Sequence, residues 1–455
     1  MRHVGKFLDR RSWNRLRSCC RELAELSRTV DEVAWPTIEK KLGEEMKMKH
    51  CWFSPDGSTI AFPNFRKIDD SEDGNAEYTA ELCLWDCVTG EVRRVDLGGS
   101  FYDIGMMGHK MSTGGRYLLF YFAKVSIFMF DVRLPGIPDP ERFRTGKSII
   151  TVYDLGDNPL NPQTGRFQHL FHGDAIASIV FNEDKLLAVS KQISEENVIR
   201  TSLAVWDLEN FEEIQSTLEV FPFSYFDSLV CSQDVIICMS YLIKSDKPSL
   251  YDRSEHRIHE IDFSEPATGT FRDFYAAIPS PVNSALLASA FIVYHVDNLD
   301  TEDETVSAKY ALCLLRVDPS SDETSPSKLK LLGSNEVPAD EIHYTHRELY
   351  MKLFKVVWFP DGSHVATMFP RRVSQIDLFK IDDDGSSVVD PDPESYPALL
   401  VQKANALLLQ TVGSSAGCAY QPDALHISPS GNALLFVWDA DYLVSFGKRQ
   451  ILVTL

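Results

Sequence analysis

The chain has 455 residues, of which 66 are Asp or Glu and 45 are Lys or Arg, a formal net charge of −21. A length of this order is too great for one ordinary core and calls for two or three domains or a large repeat architecture. The acidic balance argues against nonspecific binding to nucleic acid or to an anionic membrane, which needs clustered Lys and Arg.

Residues 1–45 carry a helical period. In SWNRLRSCCRELAELSRTV, Trp13, Leu16, Cys20, Leu23, Leu26 and Val30 recur at steps of three or four and mark one apolar helix face. Asp9 or Ser12 can cap its start, and Pro36 ends it. The arginines between these positions read as the solvated face of the same helix. No signal-peptide hydrophobic region opens the sequence, and no apolar run has the length of a membrane span. The nine cysteines include no CxxC pair and sit mostly inside apolar runs such as LCLW and VIICM, as reduced, buried thiols do. The expected setting is intracellular, cytoplasmic or nuclear.

From residue 46 onward a phrase repeats. CWFSPDGSTIAF (Cys51–Phe62) returns as VVWFPDGSHVATM (Val356–Met368). Aligned on a tight turn, seven copies emerge, at Asp56-Gly57, Gly114-Gly115, Glu183-Asp184, Gln233-Asp234, Asn283-Ser284, Asp361-Gly362 and Ser430-Gly431. Each joins a short strand to a more apolar one, the composition of a hairpin. A second phrase follows most of the turns: AELCLWDCVTGEVRRV, KVSIFMFDVRL, TSLAVWDLENFEEIQ, KYALCLLRVD and VSQIDLFKIDDDG. Its period-two alternation predicts a strand with one buried face. Gly57 and Gly431 bracket six intervals averaging about 62 residues, against roughly 40–45 for a minimal four-stranded unit. The polar inserts NFRKIDDSEDGNAEY, RLPGIPDPERFRTGKS, SSDETSPSKL and DDDGSSVVDPDPESYP account for the surplus as surface loops.

SPDGSTIAF, LCLWDCVTGEV, LAVWDLENFEEI and FPDGSHVAT resemble the blades of WD-repeat β-propellers. The resemblance spans about residues 46–455, most closely at the first, third and sixth copies. The Gly-His dipeptide of that family is nearly absent, and Trp-Asp occurs only at Trp85-Asp86, Trp206-Asp207 and Trp438-Asp439, the last on an earlier strand of its unit. The expected fold is therefore mainly β, a divergent seven-bladed β-propeller at 46–455 preceded by a short α-helical segment at 1–45. Trp85, Trp206 and Trp358 are expected in the blade cores. The N-terminal stretch FLDRRSWNRLRSCCRELAELSRTVDEVAWP resembles the later two thirds of an F-box, truncated or degenerate, without the family's opening Leu-Pro pair and first helix. That resemblance implies docking on a Skp-family adaptor of a cullin-type (SCF) ubiquitin ligase. Its partner-binding face would comprise Phe7, Leu8, Trp13, Leu16, Cys20 and Leu23.

Catalytic patterns are few. Gly413-Ser414-Ser415-Ala416-Gly417 has the form GxSxG, but turn residues follow it where a nucleophile elbow needs a helix. His256, His259 and Glu260, like His343, His346 and Glu348, lack the zincin spacing. KIDDDG offers Asp382 and Asp384 before Gly385, but Lys380 stands at the first position of a calcium loop. The positions of Arg93, Arg133, Arg253, Arg371 and Arg372 relative to one another, which a phosphate pocket would need clustered, are open. The expectation is a non-catalytic protein-interaction module with no cofactor or metal, a protein partner on one propeller rim, and no nucleic-acid or membrane partner. An unrelated scaffold role, or a ligand or enzyme site in the central channel, remains the alternative.

Overall fold

The computed structural model describes residues 38–40, 48, 50–70, 76–102, 106–112, 114–123, 147–162, 165–172, 175–182, 185–195, 198–222, 226–231, 235–240, 249–252, 257–260, 270–283, 285–297, 305–318, 328–338, 354–369, 375–382, 387–412, 421–438 and 449–454. A short strand β1 (Ile38–Lys40) comes first. Four strands then build each sheet. The first sheet holds β2 (Trp52–Phe53), β3 (Thr59–Asp70), β4 (Ala76–Asp86) and β5 (Val92–Tyr102). The second holds β6 (Met106–Met111), β7 (Tyr117–Ala123), β8 (Lys147–Asp154) and β9 (Gly165–His172). The third holds β10 (Ala175–Asn182), β11 (Leu186–Glu195), β12 (Val198–Asp207) and β13 (Glu212–Pro222). The fourth holds β14 (Phe226–Cys231), β15 (Val235–Ser240), β16 (Ser249–Asp252) and β17 (Arg257–Glu260). The fifth holds β18 (Thr270–Pro279), β19 (Leu286–Asp297), β20 (Thr305–Asp318) and β21 (Lys328–Pro338). The sixth holds β22 (Lys355–Trp358), β23 (His364–Met368), β24 (Ile376–Ile381) and β25 (Val388–Val389). A helix, α1 (Tyr396–Val412), leads to the seventh sheet, where β26 (Ala424–Ile427), β27 (Ala433–Trp438) and β28 (Arg449–Thr454) are completed by β1.

Among the described residues every sheet is an antiparallel meander, and the seventh closes with the strand from the start of the chain: Ile38 pairs with Leu452 and Lys40 with Gln450. The seven expected turns all fall between the first and second strands of their sheets. The sheets pack face on face in chain order. Leu82, Leu84 and Ala61 of the first meet Leu118 and Phe120 of the second. Tyr117 and Ile150 of the second meet Val189 and Trp206 of the third. β14 of the fourth sheet lies beside β10 and β18. Leu312 and Leu314 of the fifth meet Val356 and Val365 of the sixth. Ala366 and Met368 of the sixth meet Leu434 and Phe436 of the seventh, and Leu435 and Val437 of the seventh meet Phe62 and Cys83 of the first. The sheets in these clusters bury apolar side chains at alternate positions, because each is packed against a neighbour. This is a propeller fold. Trp85, Trp206 and Trp358 are buried in it, as expected.

Three expectations are corrected. Residues 38–40, placed in the helical N-terminal segment, form the strand β1. The outer edge of β28 pairs with these residues, and the two strands satisfy each other's backbone groups. The third strand of the second sheet is KSIITVYD (Lys147–Asp154), whereas KVSIFMFDVRL, residues 124–134, lies wholly outside the described residues. Finally, two inserts read as loops contain regular structure. NFRKIDD and AEY extend β3 and β4 as a paired hairpin. DDDGSSVVDPDPESYP holds β25 and the start of α1. Polarity did not prevent strand formation in the hairpin, because its two strands satisfy each other's backbone without burial.

α1 starts at Ser395, whose carbonyl accepts from Leu399 N at 3.0 Å and whose hydroxyl faces Ala398 N at 3.4 Å, as an N-cap does. Its buried residues Ala398, Leu400, Val401, Ala404 and Leu408 fill the outer seam between the sixth and seventh sheets. The fourth strand of the sixth sheet has only two residues, and Asn405 of α1 takes over part of its work. Its side chain accepts from Ile376 N at 2.8 Å and donates to Ile376 O at 3.0 Å, satisfying an edge that β25 does not reach.

Candidate functional site

The meander gives the sheets two unlike rims. Turns between first and second strands, and between third and fourth strands, lie on one rim. Connections between second and third strands lie on the other.

The first rim is built from repeated turn chemistry. In Ser54-Pro55-Asp56-Gly57, Phe359-Pro360-Asp361-Gly362 and Ser428-Pro429-Ser430-Gly431 the glycine N donates to the carbonyl three residues back, at 2.8, 2.9 and 2.7 Å. Pro at the second position and Gly at the fourth are the residues such a turn prefers. The glycines have φ of 71°, 70° and 70°, a region other residues enter at a cost. Asp56 and Asp361 brace their turns by accepting from Ser58 N and Ser363 N, each at 3.0 Å. In the first and third sheets the Asp that ends the third strand caps the next turn: Asp86 accepts from Val88 N and Thr89 N at 2.7 and 2.8 Å. Asp207 accepts from Glu209 N at 2.7 Å. In the second sheet Tyr153-Asp154 stands in for Trp-Asp, and Asp154 binds Gly156 N at 2.8 Å and Arg116 at 3.0 and 2.9 Å. The turns also lock neighbouring sheets. A Cβ at Gly115 would lie 2.6 Å from the Trp52 indole, and Trp358 Nε1 donates to Ile278 O at 2.9 Å.

The second rim is uneven. β3 and β4 have 12 and 11 residues, β11 and β12 have 10 each, and β19 and β20 have 12 and 14. Their counterparts β23 and β24 in the sixth sheet have 5 and 6. At ~3.4 Å per residue the first hairpin stands roughly 20 Å taller than the sixth. The first, third and fifth sheets thus project from one side. Their outer strands pair with register shifts near Ala80, Leu203 and Leu314, and such bulges twist an open edge away from stray pairing.

A polar cluster braces the first of these hairpins at its base. Glu81 is only 2 % exposed. It accepts from Asn64 Nδ2 at 2.8 Å, with Arg66 Nε and Arg94 Nη1 each 3.5 Å from its oxygens. Arg66 reaches on to Asp96 at 2.6 Å, which also accepts from Thr79 Oγ1 at 3.1 Å and Gly98 N at 2.8 Å. Three strands are tied by one network. Burial, reinforced by the Glu81 carboxylate, pushes the neighbouring Cys83 thiol up to about 12, so it stays protonated and inert. Beyond the cluster Ile68 is 54 % exposed on the projecting part of β3.

The sequence-derived candidates are placed as follows. Phe7, Leu8, Trp13, Leu16, Cys20 and Leu23 lie outside the described residues, as do the GxSxG stretch, His256, His343, His346, Glu348, Arg133, Arg253, Arg371 and Arg372. His259 and Glu260 are on β17. Arg93 donates to Leu160 O across the first and second sheets. Asp382, at the end of β24, accepts from Ser387 Oγ across the turn to β25. Among the described residues no group of three or more His, Cys, Asp or Glu is placed to hold a metal ion, and no helix is long and apolar enough to cross a membrane. Sequence reasoning placed Asp361 in a turn but missed its neighbours Ser363 and His364. Ser363 Oγ lies 2.7 Å from both Asp361 Oδ1 and His364 Nδ1. The serine stands between acid and imidazole, whereas nucleophilic activation needs the imidazole in the middle, so the arrangement braces a turn. The signal for it was the second Pro-Asp-Gly-Ser copy, followed here by His364. The projecting hairpins had a signal too, in the alternation of NFRKID and AEYTAEL.

No family model matches the chain, and no curated protein matches it. Solved structures similar to it include Sqt1 from Chaetomium thermophilum (10 % identity, 91 % of this chain and 97 % of that one, TM-score 0.43). The Dos1 propeller (10 %, 92 % and 94 %, TM-score 0.43) and hydrazine synthase from Kuenenia stuttgartiensis (12 %, 90 % and 95 %, TM-score 0.41) are similar to a like degree. Likenesses this distant include an enzyme and do not bear on activity. The sheet order and the packing of each sheet on its neighbours carry the conclusion that this chain has a propeller fold.

Proposed function

We propose that this chain is an intracellular, non-catalytic protein-interaction module, a seven-bladed ring that docks a protein partner on its hairpin rim. The observation that carries this reading is the unevenness of that rim. Paired strands that run on beyond the shared core add little burial, so the projecting first, third and fifth blades are explained by contact with something else. The overall charge of −21 favours a basic partner through long-range attraction. The resemblance of residues 7–36 to an F-box supports a second step in the same reading. The N-terminal segment, through Phe7, Leu8, Trp13, Leu16, Cys20 and Leu23, joins the ring to a Skp-family adaptor, making the protein a substrate-recognition subunit of a cullin-type ligase.

Two experiments test this. Replacing residues 67–78 with a two-residue Asn-Gly turn shortens the first hairpin above its polar cluster. Proteins cross-linked to the intact chain in cells should be lost from this variant while its thermal unfolding stays intact; unchanged cross-linking sinks the rim reading. For the adaptor, the chain is compared with one starting at Val33, because a start at Met46 would also remove β1 and open the seventh blade. Capture of purified adaptor by the longer chain alone supports the ligase step, and capture by neither ends it.

A further inference from the structure

α1 is an unusual surface helix. Of its 17 residues, YPALLVQKANALLLQTV, Lys403 alone is charged, whereas a helix covering a protein normally turns a charged face to water. Its inner face is already occupied by the sixth and seventh sheets. On the opposite side Leu399, Gln402, Ala406 and Leu409 recur at steps of three, four and three. Gln402 and Ala406 are exposed and Leu409 is 48 % exposed. That is the stripe of a helix that packs on a second helix.

We propose that the N-terminal segment at residues 12–30 covers this stripe, laying Trp13, Leu16, Leu23 and Val30 against Leu399, Ala406 and Leu409. The chain's own course points to this occupant. β1 pairs with β28, and α1 packs on β27 and β28, so the segment enters the fold beside the helix. Seven residues separate Val30 from Ile38, a reach of up to about 25 Å when extended, comparable to the ~1.5 Å per residue length of α1. The segment's arginines would then face water, supplying the charged surface that α1 lacks. The inference rests on the helical period of residues 12–30 and on α1, and not on the rim. It does bear on the adaptor step, since α1 and an adaptor would compete for one apolar face.

The test is a double-mutant cycle in the full chain. Leu409→Glu and Leu23→Glu should each lower the apparent Tm by about 2 °C or more, and the double variant no more than the larger single loss. Leu409→Glu in the chain starting at Val33 should have no effect. Additive losses, or an equal loss in the shortened chain, overturn the proposal. So does light scattering that shows a wild-type dimer split by Leu409→Glu, which would make a second copy the occupant. If Leu23→Glu does not fold, Leu23→Ala serves in the same cycle. Adaptor capture is read separately: its absence from every variant defeats the ligase step while the cycle still decides the docking.

Discussion

The two rims of this propeller follow opposite rules. On the turn rim, Ser-Pro-Asp-Gly, Phe-Pro-Asp-Gly and Ser-Pro-Ser-Gly make the same turn three times, and the aspartates at the ends of β4, β8 and β12 cap the turns that follow. On the hairpin rim, equivalent strands range from 5 residues in β23 to 12 in β3 and β19. Repetition marks the side that holds the blades together; divergence marks the side that is free to differ. Function is better sought on the second.

The largest expected effect breaks the turn rim. At Gly115 the positive φ and the 2.6 Å approach to Trp52 act together, so Gly115→Ala should cost about 3 kcal/mol in urea unfolding. Gly90 has φ of 75° but nothing within 4 Å of a Cβ, so Gly90→Ala should cost only about 1 kcal/mol. Equal losses at the two glycines would remove the claim that these turns lock neighbouring blades. Next comes the base of the hairpin. Glu81→Ala leaves Asn64 without its acceptor and takes a carboxylate from Arg94 and Arg66, of which Arg66 keeps Asp96, and the partial exposure of the arginines limits the loss to about 2 kcal/mol. Hydrogen exchange should rise across β3 and β4 but not in the sixth sheet, sharpening the distinction between tall and short blades.

Asp86→Ala removes two turn bonds at an exposed site and should cost about 1 kcal/mol, read as a shift in denaturation midpoint at constant m-value. The smallest effect is that of His364, whose Nε2 is buried with no hydrogen-bond partner. Burial lowers its pKa below the ordinary histidine value, against the pull of Asp361 and together with Lys380. A depressed native pKa means that the unfolded chain takes up the proton first. The contribution is therefore complete above about pH 6.5 and is lost as pH falls through the native value. Unfolding at pH 7.5 and 5.5 should show a loss that His364→Asn reduces; the same slope in both proteins would place the acid sensitivity elsewhere.

Sequence alone determined the repeat. The turns at Gly57, Gly115, Gly362 and Gly431 sit where glycine interrupts an apolar alternation, because their left-handed backbone favours that residue. The burial of Trp85, Trp206 and Trp358 followed from the same patterns. Tertiary structure decided what local chemistry leaves degenerate. Lys147–Asp154 became the third strand of the second sheet. Ile38–Lys40 left the N-terminal segment because β28, more than 400 residues away, offered an open edge. α1 begins in the last two residues of an insert read as a loop and runs on to Val412, since its leucines had a seam to fill between two sheets. The first projecting hairpin reads as a loop in the sequence because its tip, NFRKIDD and AEY, is polar, although its two strands satisfy each other's backbone. Periodicity records local geometry and burial, whereas pairing partners across hundreds of residues are chosen by which edges and seams the rest of the fold leaves open.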